Sequence, residues 1–331
     1  MEMTVTIPIR VAGEIWFNAT EVKQILSTLT AQDQIILDLC SEAPCLNSIG
    51  LSQILNAWLA QHEVDPSAVQ ITRWANTVQQ VPYTKVTCMN ISQFFRYSKQ
   101  YWLESVSFST AEKLFGLFLG RNSISRNTIL YEVNDKWPQH FLCSRMKARA
   151  PEPWLVNWDQ DVISLESIDQ WNTPEQLQKI IAWYKSDPVP SLDGKEVRDQ
   201  YQIEDQSTTE CNRSLLEHYD RFNIELVCET YAYGDTFFPT EKTVRPIMAA
   251  KPFLVYGPQG YLRRLRDLGF RTYADCWDES YDLLEGPQRW LAMKSVIQNV
   301  IDRDPLDTLS GAWDISLHNR QHLQHEVSNR W

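Results

Sequence analysis

No apolar run in the chain approaches the roughly 20 residues a helix needs to cross a bilayer, and the first residues lack the charged-then-apolar order of a signal peptide. There is no CxxC pair and no Cys/His cluster. The seven cysteines (Cys40, Cys45, Cys88, Cys143, Cys211, Cys228, Cys276) are scattered and odd in number, so reduced thiols are expected rather than a disulfide frame or structural zinc. A basic excess is missing too. The net charge of −11 argues against a broad positive surface for wrapping nucleic acid and allows only a local basic groove. The expectation is a soluble, cytoplasmic protein with no membrane span. At 331 residues the chain is long enough for two domains, each with its own core.

The most informative stretch is Phe237–Gly257, FFPTEKTVRPIMAAKPFLVYG, with its continuation GYLRRLRDLGF to Phe270. It reads as loop, helix, strand, helix. Thr240 follows Pro239 and precedes a helix-compatible run, so its hydroxyl is placed to cap the first turn. Val244, Ile247 and Met248 recur at helical spacing, Pro246 should kink or shorten the helix, and Pro252 requires it to end by Lys251. Phe253–Tyr256 is a short apolar run of the kind found in a parallel sheet covered on both faces. Gly257, Pro258 and Gly260 turn the chain into a second amphipathic helix, Tyr261–Leu268, closed by Gly269.

A helix start carrying Thr240, Glu241 and Lys242 at the mouth of a parallel sheet favours an anion. Unpaired N–H groups and the helix dipole attract phosphate, and Lys242 adds a full charge. A carboxylate at Glu241 repels phosphate but suits vicinal ribose hydroxyls. Together the three point to a nucleotide diphosphate.

Phe238-Pro239-Thr240-Glu241-Lys242, followed by Pro252-Phe253-Leu254-Val255-Tyr256-Gly257, resembles the donor-binding signature of GT-B glycosyltransferases of the fucosyltransferase-like kind. The longer string through Leu268-Gly269-Phe270 and Trp277-Asp278-Glu279-Ser280-Tyr281-Asp282 is similar to glycosyltransferase-like proteins of large phages and some bacteria. The match covers about a sixth of the chain, Glu229 to Asp282. The resemblance implies an α/β, GT-B-like fold: two Rossmann-like domains facing across a cleft, with a C-terminal helix crossing back. It implies transfer from a UDP- or GDP-linked sugar to a hydroxyl acceptor with inversion, no metal and no other cofactor. The acceptor is a hydroxymethylated DNA base, in a phage host's cytoplasm, or a glycan, lipid or protein. A non-catalytic binding or scaffolding protein that keeps the nucleotide-sugar fold is the alternative.

Along the chain, residues 1–107 read as the acceptor-side domain, 108–303 as the nucleotide-sugar domain, and 304–331 as a helical segment packing on the first domain. Gln34–Leu39, a polar loop and the helix Leu51–Ala60 form a strand–loop–helix unit opening a doubly wound domain. Glu42 on that loop, with Asp38 as the alternative, is the candidate base. Ile91–Leu103 is an aromatic-rich helix, read as core more readily than as a stacking platform. Lys113–Gly120 is a buried strand ending at Arg121, before a helix from Thr128. By resemblance to the first βα unit of a GT-B carboxy-terminal domain, Arg121 or Arg126 binds the diphosphate. Ser186–Thr209, polar and acidic, reads as a loop that is mobile in part. Tyr231 and Tyr233 lie where a nucleobase can stack or where each can pack under the helix. Arg245, one turn past Glu241 and Lys242, joins the donor set or orients them. Arg263, Arg264 and Arg266, with Lys251, line a basic groove or serve solubility. Thr272-Tyr273 starts a last short strand. The Asp275–Ser280 loop is set aside as a metal motif, and His318, His322 and His325 share one helical face, more readily solvated than metal-binding.

Overall fold

The computed structural model describes residues 3–8, 11–12, 14–15, 19–38, 46–47, 50–72, 81–85, 111–120, 123–145, 171–186, 188–190, 192, 215–234, 237–303 and 305–330. Glu42, Arg121 and the aromatic stretch Ile91–Leu103 lie outside these residues. Two parallel sheets, each with its own apolar core, make the chain a mixed α/β protein.

The first sheet is built from β1 (Thr4–Pro8), β4 (Gln34–Asp38), β5 (Val69–Thr72) and β6 (Thr84–Lys85), adjacent in that order and all parallel. A small antiparallel pair, β2 (Val11–Ala12) and β3 (Glu14–Ile15), follows β1. The core is made by Ile7, Ile35, Leu37, Val69 and Ile71 from the strands, Val22 and Leu26 from α1 (Ala19–Ser27), and Leu51, Leu55, Trp58 and Leu59 from α2 (Leu51–Gln61). Alternate residues of β4 and β5 are buried and their neighbours half-buried or, at Gln34, exposed, so one face carries most of the packing. The described strand order runs in one direction without reversing. The doubly wound arrangement expected for this half is therefore not seen among the described residues.

The second sheet has the order β10-β9-β7-β8, again all parallel. Its strands are β7 (Lys113–Leu119), β8 (Phe141–Arg145), β9 (Phe222–Cys228) and β10 (Phe253–Tyr256). Successive residues of β7, β9 and β10 are buried, as in a sheet covered on both faces. Gly116 is explained by close packing: a Cβ there would stand 2.8 Å from the Phe222 ring. The chain leaves β7 one way, through α3 (Ile124–Lys136), to β8. It returns to β9 and runs the other way through α5 (Glu241–Met248) to β10. The order reverses between β7 and β9, and ligands of open α/β sheets bind beyond the strand ends at such a point.

The remaining helices are α4 (Pro174–Lys185), α6 (Tyr261–Asp267), α7 (Gly286–Asp302) and α8 (Pro305–Arg330). Leu309, Ala312, Ile315 and Leu323 of α8 belong to the second core. The C-terminal helix thus packs on the second core, its apolar face meeting α5 and α7. Among the described residues no helix is long and apolar enough to cross a membrane.

Three local expectations meet the structure here. The start of the 186–209 segment is anchored: Val189 is buried, Arg145 N donates to Pro190 O (3.2 Å) and Leu192 N to Ser144 Oγ (2.9 Å). Thr272-Tyr273 forms no strand; Glu279 gathers it into a turn, accepting from Tyr273 N at 2.6 Å and Thr272 Oγ1 at 2.7 Å. His322 is committed to Leu268 O (2.7 Å) and stands edge-on to Phe270. Among the described residues no three His, Cys, Asp or Glu side chains form a metal-binding group.

Candidate functional site

The candidate site lies where the second sheet reverses, at the start of α5. Thr240 is the N-cap in an extended conformation, with its hydroxyl oxygen 3.3 Å from Lys242 N. Pro246 lies within the helix and removes one internal donor. The last turn closes early, with Ala250 at φ 49° and Lys251 N on Pro246 O at 2.8 Å. Lys251-Pro252 then leads directly into β10.

What fixes this start is a single buried acid. Glu229, the first residue after β9, is buried. Its Oε1 accepts from Thr240 N (3.1 Å), Thr243 Oγ1 (2.5 Å) and Tyr261 Oη (3.1 Å). Its Oε2 accepts from Thr240 Oγ1 (2.7 Å) and Thr230 N (3.2 Å). One carboxylate thereby ties β9, the first turn of α5 and the first residue of α6 together. From the β7 side, Arg126 of α3 reaches across the switch point and donates to Glu229 O (2.7 Å) and Cys228 O (3.3 Å). Ser123 caps α3, accepting from Arg126 N at 3.2 Å. The starts of α3 and α5 thus meet over the carboxyl ends of β7 and β9.

Glu241 and Lys242 lie at this junction and pair with each other: Lys242 Nζ stands 2.8 Å from Glu241 Oε1, and also near Thr240 Oγ1 (3.1 Å) and Thr230 Oγ1 (3.3 Å). Both side chains retain some exposure, 18% for Glu241 and 12% for Lys242. Burial pushes the Glu241 carboxyl up, but the charge and hydrogen bond of Lys242, together with the charge of Arg245, more than offset it and bring it down to about 2. The folded value lies below the ordinary 4.5, so this pair's stabilisation is complete above about 4.5 and is lost as pH falls towards 2. Acid titration followed by circular dichroism should show part of the wild-type transition in that window, and Glu241→Gln should lack that part.

Arg245 has a different setting from the one expected of a donor ligand. It is buried, donating to Glu225 Oε1 (Nη2, 3.1 Å) and Tyr219 Oη (Nε, 3.2 Å), while Tyr219 Oη donates to Glu225 Oε2. Glu225 lies within β9, so Arg245 bolts α5 to the sheet one turn behind Glu241. Its part in the site is to position the helix.

Tyr233 Oη accepts from Trp171 Nε1 at 2.6 Å, and its ring lies over Gly286, where a Cβ would stand 2.6 Å from Cε1. Tyr231 enters the first core, edge-on to Phe238 (6.3 Å), which also packs against it. The loop between β9 and α5 therefore joins the second sheet to the first core. Asp38 sits at the carboxyl end of β4 with Thr72 Oγ1 at 3.4 Å. Lys251 is buried, donating to Phe222 O at 2.8 Å, and so is not part of a groove with Arg263, Arg264 and Arg266.

Glu229 carried a faint sequence signal: an acid directly after the buried run IELVC. Glu225 carried a stronger one, since a carboxylate inside a buried strand requires a partner. No protein-family model matches the chain, and a search of curated proteins finds no match either.

Proposed function

We propose that the chain is a glycosyltransferase of the GT-B kind that binds a nucleoside diphosphate-sugar at the start of α5 and transfers the sugar to a hydroxyl acceptor. The observation carrying this reading is the Glu241–Lys242 pair, ionised and partly exposed, on a capped helix start at a topological switch point. A diphosphate arriving there meets the N–H groups of the first turn and the Lys242 ammonium. As Lys242 turns to phosphate, Glu241 is released to accept from the ribose hydroxyls.

In the reaction, the acceptor oxygen attacks C1 of the sugar while a carboxylate of the first domain, Asp38 or Glu42, takes its proton. The C1–O bond breaks and its electron pair goes to the diphosphate. Preorganised cations and helix dipoles stabilise that developing charge, and displacement in one step inverts C1. Arg126, committed to two carbonyls of the β9 loop, supplies fixed positive charge behind the diphosphate; Arg121 stays a candidate for direct contact. A thermal-shift screen against nucleotides and their sugar conjugates distinguishes a UDP- from a GDP-linked donor, and transfer assays with that donor distinguish modified DNA from a glycan as acceptor.

Lys242→Ala is expected to weaken nucleoside diphosphate binding by about 2–3 kcal/mol, as for loss of a charge-assisted contact. Isothermal titration checks this, and unchanged affinity would remove Lys242 from the site. Nucleotide-sugar binding without turnover on any acceptor would favour the non-catalytic reading.

A further inference from the structure

Beside α6, at the same carboxyl edge of the second sheet, is a cavity of about 450 Å³, within the size range of small-ligand sites. Phe237 and Tyr261 form its aromatic floor, their rings 5.1 Å apart, and Arg263, Arg264, Arg266 and Ser280 line its sides. Three arginines around one cavity stand out in a chain of net charge −11.

The two carboxylates that share the lining are already engaged. Asp282 accepts from Leu262 N (2.9 Å) and Arg263 N (3.1 Å) and is paired from behind with the buried Arg289 (3.1 Å). Glu279 accepts from Tyr273 N and Thr272 Oγ1 and pairs with Arg266 (3.2 Å). Arg263 has no carboxylate partner among the described residues. Its guanidinium lies back over Gly260, with Nη2 3.2 Å from where a Cβ would stand. Gly260 has φ 74°, a left-handed conformation natural to glycine, so the close approach of Arg263 is unobstructed.

We propose that this cavity is a second anion site, which takes the phosphate groups of a small phosphorylated ligand with Arg263 as their principal contact. A planar guanidinium presents paired donors that match phosphate oxygens, and the concave lining focuses the field of the three arginines. A small ligand fits better than a nucleic acid strand. Lys251, which would have extended the arginines into a track, is buried, and the acidic surface opposes a long polyanion. The site does not depend on the α5 reading; the two share only the wall formed by Tyr261, whose hydroxyl bonds Glu229.

The test is isothermal titration of inorganic pyrophosphate into the full-length Lys242→Ala protein, in which binding at the α5 start is weakened. Binding should persist there, weaken at least tenfold when Arg263→Ala is added, and be partly retained with Arg263→Lys. Arg221→Ala, which removes an equal charge at the far-off pair with Glu112, should change it less than twofold. Absence of pyrophosphate binding in Lys242→Ala, or equal weakening by Arg221→Ala, would overturn the proposal. Arg263-dependent binding of a short single-stranded oligonucleotide without pyrophosphate binding would overturn the small-ligand assignment.

Discussion

Arg245→Met is expected to destabilise the protein by about 3–5 kcal/mol, the range for stripping one partner from a buried ion pair. Arg245 is 3% exposed and Glu225 0%, so bulk solvent does not reach the carboxylate to replace the lost guanidinium. Burial already pushes the Glu225 carboxyl up against the pull of Arg245. Without Arg245 only the Tyr219 hydrogen bond opposes that push, and the folded carboxyl binds its proton more tightly than the unfolded one. A group whose folded value is raised contributes stability that is lost as pH rises. The deficit of Arg245→Met in urea denaturation should therefore be larger at pH 8 than at pH 5. Adding Glu225→Leu should recover much of the loss, since an apolar pair replaces the ionic one at little net cost. A loss below about 1 kcal/mol, independent of pH, would show that the network is not a single buried unit.

Glu229→Gln is the second large effect. The amide keeps the shape but presents an NH2 group where one carboxylate oxygen accepts two hydrogen bonds. Hydroxyls of Thr240, Thr243 and Tyr261 can rotate to adapt; the N–H groups of Thr230 and Thr240 cannot. At least one buried donor is left facing a donor, for which about 1.5–3 kcal/mol is expected. Glu229→Ala, which takes the carboxylate from all five donors and leaves only the Thr243–Tyr261 hydroxyl contact (2.8 Å) in its place, should cost more. Because the same carboxylate fixes the first turn of α5, Glu229→Gln should also weaken nucleotide binding although Glu229 itself does not face the ligand. Destabilisation with unchanged nucleotide affinity would separate the network from the site.

Much of the second half was legible because its signals are local. Thr240 as N-cap, the strand Phe253–Tyr256, the helix after Gly260 and the positive φ of Gly269 (90°) follow from the side chains that set them. The helix α3 begins at Ile124 rather than Thr128 because Ser123 caps it, a cue present in SISRN but outweighed by the polar run. Partnerships across the sequence were not legible. Glu229 with Tyr261 and Arg126 with Glu229 are 32 and 103 residues apart, and no spacing rule predicts which distant donors converge on one acid. Likewise, three basic residues near one another in sequence, Lys251, Arg263 and Arg266, part company because Lys251 turns inward to a carbonyl of Phe222. The adjacency of Glu241 and Lys242 was visible, whereas their pairing is a feature of the folded geometry.

The most direct measurement is a thermal-shift screen of the wild-type protein and Glu241→Ala against UDP, GDP, CMP, dTDP, ADP and their sugar conjugates. A ligand at about 100 times its dissociation constant adds about 2.7 kcal/mol, well above the noise of such a screen. One nucleotide family should raise the wild-type melting temperature, and the rise should vanish in Glu241→Ala. No shift with any nucleotide, or a shift that Glu241→Ala leaves intact, would contradict a donor site at the start of α5.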